Sequence, residues 1–228
     1  MYKITSYNYD VLGEACLDPC LDKFLFNGTG DRIVLSVEPN GQTGIYQNLE
    51  IYSGLKEQDT IIRRDEDIMI VNKDWTYNRI CSLRNQENFM AFWLQIFYTH
   101  AVKRRMLQFH ASLIETQKIG IMFLGPSGIG KTTQAELWSK YRDALIINGD
   151  IVFVQETPDA FLGWGTPWHG SSPYCENTSV PVAAMVVLKQ APKNSIRELT
   201  GFEKVTEVSN SVFYPQWVEG GMELCLET

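Results

Sequence analysis

The sequence predicts an α/β fold preceded by a small β-rich part over residues 1–85, with the core in residues 86–228. Three observations carry that prediction. The first 85 residues break into short β-branched runs separated by turn residues. Residues 88–106 carry an apolar stripe at helical spacing. Beyond them, apolar runs alternate with one glycine-rich turn and one helical segment, the strand–turn–helix–strand order of an α/β unit.

Taken in order, Ile33–Val37 follows the turn Gly28-Thr29-Gly30-Asp31 and reads as a strand. Thr60–Arg64 and Ile68–Val71 flank Asp65-Glu66-Asp67, the tip of a hairpin. In 88–106, Phe89, Phe92, Trp93, Ile96 and Phe97 recur every three or four residues, so that face belongs to a core rather than to a cofactor. Lys103, Arg104 and Arg105 close the helix, where cations suit its negative end. Met106–Glu115 has a period of two, and Ile119–Leu124, Ala144–Ile147 and Val180–Leu188 are apolar runs. Lys131–Tyr141 reads as the helix between them.

The 228 residues include 20 basic and 27 acidic side chains, a net charge of −7, with 44% hydrophobic and 21% charged residues. That is ordinary globular usage. The acidity argues against nucleic-acid binding, which needs clustered cations on the phosphates. No stretch approaches the roughly 20 apolar residues of a membrane span, and the N-terminus lacks the apolar segment of a secretory signal. The five cysteines are odd in number and scattered, so they read as thiols of a cytoplasmic protein. Cys16 and Cys20 share a helical spacing, but no second Cys/His pair accompanies them as a zinc site requires.

One segment carries chemistry. Gly125-Pro126-Ser127-Gly128-Ile129-Gly130-Lys131-Thr132 matches G-x-x-x-x-G-K-[ST] at every position. In that pattern the glycines let backbone N–H groups turn inward around a phosphate. The lysine reaches the β- and γ-phosphates and the hydroxyl binds Mg²⁺. A strand before and a helix after complete the context, with Thr133 next in the first helical turn.

Further candidates follow from placement. A hairpin centred on Gln117 puts His110 opposite Leu124, just before the loop. Asp150 leaves the strand after the loop helix through Asn148-Gly149, at the edge where open α/β sheets hold ligands. A carboxylate there suits a metal ion or the proton of an attacking hydroxyl. His169, in Gly165-Thr166-Pro167-Trp168-His169-Gly170 ahead of Ser171 and Ser172, reads equally well as part of a lid or acceptor loop and as a plain connection. His100 falls on the aromatic helix and reads as structural.

Phe109-His110-Ala111-Ser112, the strand pair, the Gly125–Thr132 loop and the Asp after the next strand together resemble the HPr kinase family, over roughly residues 106–190. Those enzymes share a P-loop core with phosphoenolpyruvate carboxykinases, and the resemblance implies that core, with a mixed sheet. It also implies ATP and Mg²⁺ as cofactors, with Gly125–Thr133 binding the nucleotide and Thr132 and Asp150 the metal. Asp150, His110 and Lys131 would be catalytic, Asp150 matching the second of two adjacent acids. Here the pair is Gly149-Asp150, and the Glu-x-Arg-Gly signature is absent, which argues against HPr as the acceptor. The Gly165–Gly170 stretch looks more like a branch found near ribosomal-peptide biosynthesis genes, lasso-peptide systems included. Some members of that branch phosphorylate a serine of a precursor peptide. Relatives continue beyond Thr228, so a C-terminal element of the core is expected to be lacking.

The expected activity is therefore transfer of a γ-phosphoryl group to a serine of a peptide or protein. A nucleotide-binding sensor or scaffold without transfer is the alternative. A carboxykinase of a small metabolite is a third reading, though nothing in the sequence brings Arg142, Lys189, Lys193 or Arg197 to the site. No nucleic acid or membrane partner is expected, and a homo-oligomer is left open.

Overall fold

A computed structural model describes residues 1–38, 55–81 and 85–228. It divides into two compact units, Met1–His100 and Ala101–Thr228. Residues 39–54 and 82–84 of the expected β-rich part lie outside the described residues.

In the first unit, the described residues form a mixed sheet. Its strands are β1 (Tyr2–Ile4), β2 (Tyr7–Leu12), β3 (Arg32–Glu38), β4 (Thr60–Arg64), β5 (Asp67–Val71) and β6 (Tyr77–Cys81). They lie in the order β1-β2-β3-β6-β5-β4, with β2, β3 and β6 parallel. The β4–β5 hairpin turns at Asp65 and Glu66, so Asp67 is a strand residue opposite Arg64 rather than part of the tip. The aromatic helix, α1, runs from Gln86 to Ala101. Trp93 is fully buried and meets Tyr2, Tyr9 and Phe89 edge to face at 5.4, 5.4 and 5.8 Å. The stripe is core, each buried aromatic contributing roughly 1.5–3 kcal/mol. His100 is structural too, its Nε2 lying 3.1 Å from the Trp75 carbonyl.

The helix ends earlier than its periodicity suggests. Lys103 and Arg104 lie in a single 3₁₀ turn, and Arg105 takes a left-handed conformation at φ 55°. Arg105 then ion-pairs with Glu156 at 2.6 Å.

The second unit is organised around β7 (Met106–Thr116). β7 turns through Gln117 and Lys118, both at positive φ, into β8 (Ile119–Leu124). This is the two-residue turn that suits strand twist. It makes Ala111, not His110, the partner of Leu124, one residue from the expected register. β8 runs parallel to β12 (Ser179–Val187), which pairs with β11 (Phe161–Trp164). β11 pairs with β10 (Ile151–Glu156), and β10 returns to β7. The circuit closes the sheet into a barrel, so the α/β unit is not an open one.

Alternation along the strands sorts the residues. Phe109, Ala111, Leu113, Met122, Leu124, Val152 and Val154 fill the barrel. Ile114, Phe123 and Ile146 face outward beneath α2 (Lys131–Arg142), packing with its Ala135. His110 and Ser112 belong to this outer set.

β9 (Leu145–Asn148) also pairs with β7, in line with β10. Leu113 faces Asn148, His110 faces Ile151, and the Ala111 N–H donates to the Asp150 carbonyl at 2.9 Å. Gly149-Asp150 is therefore an interruption inside one long strand, not the exit of a strand onto an open edge. Where β8 stops, β13 (Val212–Phe213) takes over the other side of β7. α3 (Phe202–Ser209) precedes it and α4 (Gly221–Leu226) follows. Among the described residues no helix is long and apolar enough to cross a membrane.

Candidate active site

Gly125–Gly130 links β8 to α2, with Gly125, Gly128 and Gly130 at φ 137°, 77° and 109°. L side chains rarely adopt these conformations. Nothing lies within 4 Å of a Cβ built at Gly128 or Gly130, so the loop faces open space there. Gly130 caps α2 without a side-chain bond, leaving its first N–H groups available to an anion. Pro126, Ser127, Gly128 and Thr133 are exposed.

Lys131 is only 6% exposed. Its ammonium donates to the carbonyls of Gly125 and Pro126 at 3.1 and 3.2 Å. Burial holds its pKa below the ordinary lysine value, against the pull of Asp150. The Thr132 hydroxyl donates to the Gly149 carbonyl at 3.2 Å, and the buried Ser112 hydroxyl donates to the same oxygen at 3.1 Å. These two bonds tie the start of α2 and the middle of β7 to the Gly149-Asp150 interruption.

His110 Nε2 lies 3.0 Å from Asp150 Oδ1, and the backbone N–H of His110 donates to the Ser211 carbonyl at 2.8 Å. Burial first, and then the Lys131 charge, lower the His110 pKa below 6.5, outweighing Asp150, which raises it. The imidazole is thus neutral at pH 7, and its Nε2–H donates to the carboxylate. A depressed histidine pKa lets the unfolded chain take up a proton first. Stability is therefore intact above the unfolded value of about 6.5 and falls as pH drops through it, until the folded imidazole also protonates. Thermal melts from pH 8 to 5 should show wild type losing more stability than His110→Gln; parallel curves would contradict the depressed pKa.

Asn148 holds the interruption in shape, and sequence reading passed over it. Its side chain is fully buried. Oδ1 accepts from the N–H groups of Asp150 and Ile151 at 2.9 and 3.0 Å, and Nδ2 donates to the carbonyls of Thr166 and Trp168 at 3.1 and 3.0 Å. The Asn-Gly-Asp sequence hinted at a turn, but only the fold shows that the amide also fastens the 165–169 segment.

That segment ends in a turn over Asp150. The Ser172 N–H donates to the His169 carbonyl at 3.1 Å, and His169 Nδ1 bonds the Ser172 carbonyl. A Cβ built at Gly170 would stand 2.1 Å from Asp150 Oδ2, and one at Gly149 would stand 1.9 Å from Ser172 Oγ. Ser172 fills the space of a side chain at 149, which accounts for the glycine where the resemblance expects an acid.

Beside the loop opens a cleft of about 500 Å³, walled by Gly125, Pro126, Ile129, Lys189, Glu207 and Ser211. Lys131, His110 and Asp150 do not wall that cleft; they converge beside the loop, His110 on Asp150 at 3.0 Å and Lys131 within electrostatic reach of both. The sequence model described as ScmC, SynChlorMet cassette protein ScmC, matches residues 80–224. The chain belongs to the ScmC family. The ScmC match takes in the loop, His110, Asp150 and the 169–172 turn, while most of the first unit precedes it. No curated protein matches the chain. Of the other basic residues, Lys189 pairs with Glu207, and Arg197 with Glu203.

Proposed function

We propose that the chain is an ATP- and Mg²⁺-dependent kinase with a P-loop core of the HPr kinase type, transferring the γ-phosphoryl group to a serine of a peptide or protein. The observation that carries this reading is the convergence of Lys131, Thr132, Asp150 and His110 around one glycine-rich loop. The donor set fits the groups it would hold. Open backbone at Gly128 and Gly130 and the uncapped start of α2 suit a phosphate chain. Thr132, bonded to the residue before Asp150, makes with that carboxylate an all-oxygen pair suited to Mg²⁺.

When bound, Mg²⁺ offsets charge on the phosphate oxygens. Lys131 binds the β- and γ-phosphates, exchanging the Gly125 and Pro126 carbonyls for stronger acceptors. Asp150 takes the proton of the acceptor hydroxyl. Neutral His110, donating to Oδ1, fixes the carboxylate so that Oδ2 is the oxygen aimed at the acceptor. Little more is asked of the protein, because phosphoryl transfer rests on positioning and electrostatics.

Lys131→Ala tests the nucleotide site. Its loss should weaken ATP binding by about tenfold to a hundredfold in titration calorimetry. The melting temperature should hold, because burial disfavours the charged amine. Unchanged binding would remove the basis of the reading. One observation favours the alternative of a nucleotide-binding sensor or scaffold: Ser172 stands where a first carboxylate would be. Tight ATP binding without transfer to any serine peptide would select it.

A further inference from the structure

The 169–172 turn has a consequence for the kinase reading, on which the following rests. Asp150 presents two oxygens. Oδ1 is held by His110 at 3.0 Å. Oδ2 faces Gly170, where even a Cβ would approach to 2.1 Å. A hydroxyl that is to lose its proton to Oδ2 must therefore arrive where the turn already lies. Gly170 permits that approach twice over, having no Cβ and adopting φ 58°. The next residue, Ser171, is exposed at the tip of the turn. Ser172 is a poorer acceptor: it is 7% exposed, and its hydroxyl accepts from the Tyr174 N–H at 3.2 Å.

We infer that Ser171 is a phosphorylation site that this chain's own active site modifies in cis, because it is the exposed hydroxyl residue next to Gly170, and Gly170 adjoins the oxygen of Asp150 that an acceptor must use. In the step, Ser171 Oγ forms a bond to the γ-phosphorus as the bond to the bridging oxygen breaks. ADP leaves with that electron pair, and the hydroxyl proton passes to Asp150. The phosphate then adds negative charge beside the Asp150 carboxylate. Like-charge repulsion lifts the turn away and opens Oδ2 to an outside serine.

The test incubates the full chain with γ-labelled ATP and Mg²⁺ and no added acceptor, maps the label by mass spectrometry, and measures ATP binding separately with a fluorescent analogue. Label is expected on Ser171, appearing at a rate independent of protein concentration. Ser171→Ala should lose label by about tenfold or more while keeping its ATP affinity, and Ser172→Ala should retain label on Ser171. ATP binding and transfer to a serine peptide without label on Ser171 would overturn this inference and leave the kinase reading standing. Labelling whose rate rises with protein concentration would overturn the assignment in cis. Absence of ATP binding would overturn both.

Discussion

Asp150→Asn should slow phosphoryl transfer by about 10²–10⁴-fold, the usual contribution of a positioned general base, while ATP binding falls far less. The amide replaces the carboxylate with almost no change in shape. Its Oδ1 still accepts from His110 Nε2, now 3.0 Å away, and its backbone bonds to Asn148 and Ala111 are untouched. What is lost is the ability to receive a proton, together with one negative charge on the metal. Single-turnover transfer to a serine peptide measures the first, and calorimetric titration with ATP at fixed Mg²⁺ measures the second. A transfer rate within tenfold of wild type would show that the proton goes elsewhere. Loss of binding as large as the loss of rate would make Asp150 a nucleotide-site residue rather than a base.

Restoring the acidic pair with Gly149→Asp should damage the fold rather than improve the site. The new Cβ would meet Ser172 Oγ at 1.9 Å and its Cβ at 2.6 Å. Ser172 is held by its bonds to His169 and Tyr174, so the clash cannot be relieved by rotating one flexible side chain. Overpacking of this kind costs about 1–3 kcal/mol, roughly 2–4 °C in melting temperature per kcal/mol for a chain of this length. Adding Ser172→Gly should recover most of that loss by emptying the space. If Gly149→Asp melts like wild type, the 169–172 turn is displaced at little cost, and the packing argument for the glycine fails.

Local pattern made much of this legible. β7, β8, α2 and α1 were readable because each has a strong period or a sharp punctuation, and the loop because its glycines and lysine recur at a sharply defined spacing. The closure of the barrel was not readable. It depends on β10 pairing with β7 between residues 41 to 49 positions apart, and no local pattern records a partner. That closure is also why Asp150 lies inside a strand pairing instead of at a free edge. The hairpin register missed by one residue because Gln117 and Lys118 form a glycine-free turn with positive φ at both positions. Asparagine and glycine would have announced it. The roles of Asn148 and Ser172 were not readable for a different reason: their importance lies in what they touch, and those contacts join segments distant in sequence.

β7 is paired on both sides along most of its length, to β8 and β13 on one flank and to β9 and β10 on the other. Its amides should accordingly exchange hydrogen with solvent only when the whole unit opens. His110 rides on this doubly paired strand. Asp150 is joined to that strand through its carbonyl, which accepts from the Ala111 N–H at 2.9 Å, whereas the 169–172 turn over its carboxylate lies at the surface and should open at lower free energy. In the proposed transfer the imidazole would be the fixed reference, and the turn over the carboxylate would be the part that adjusts.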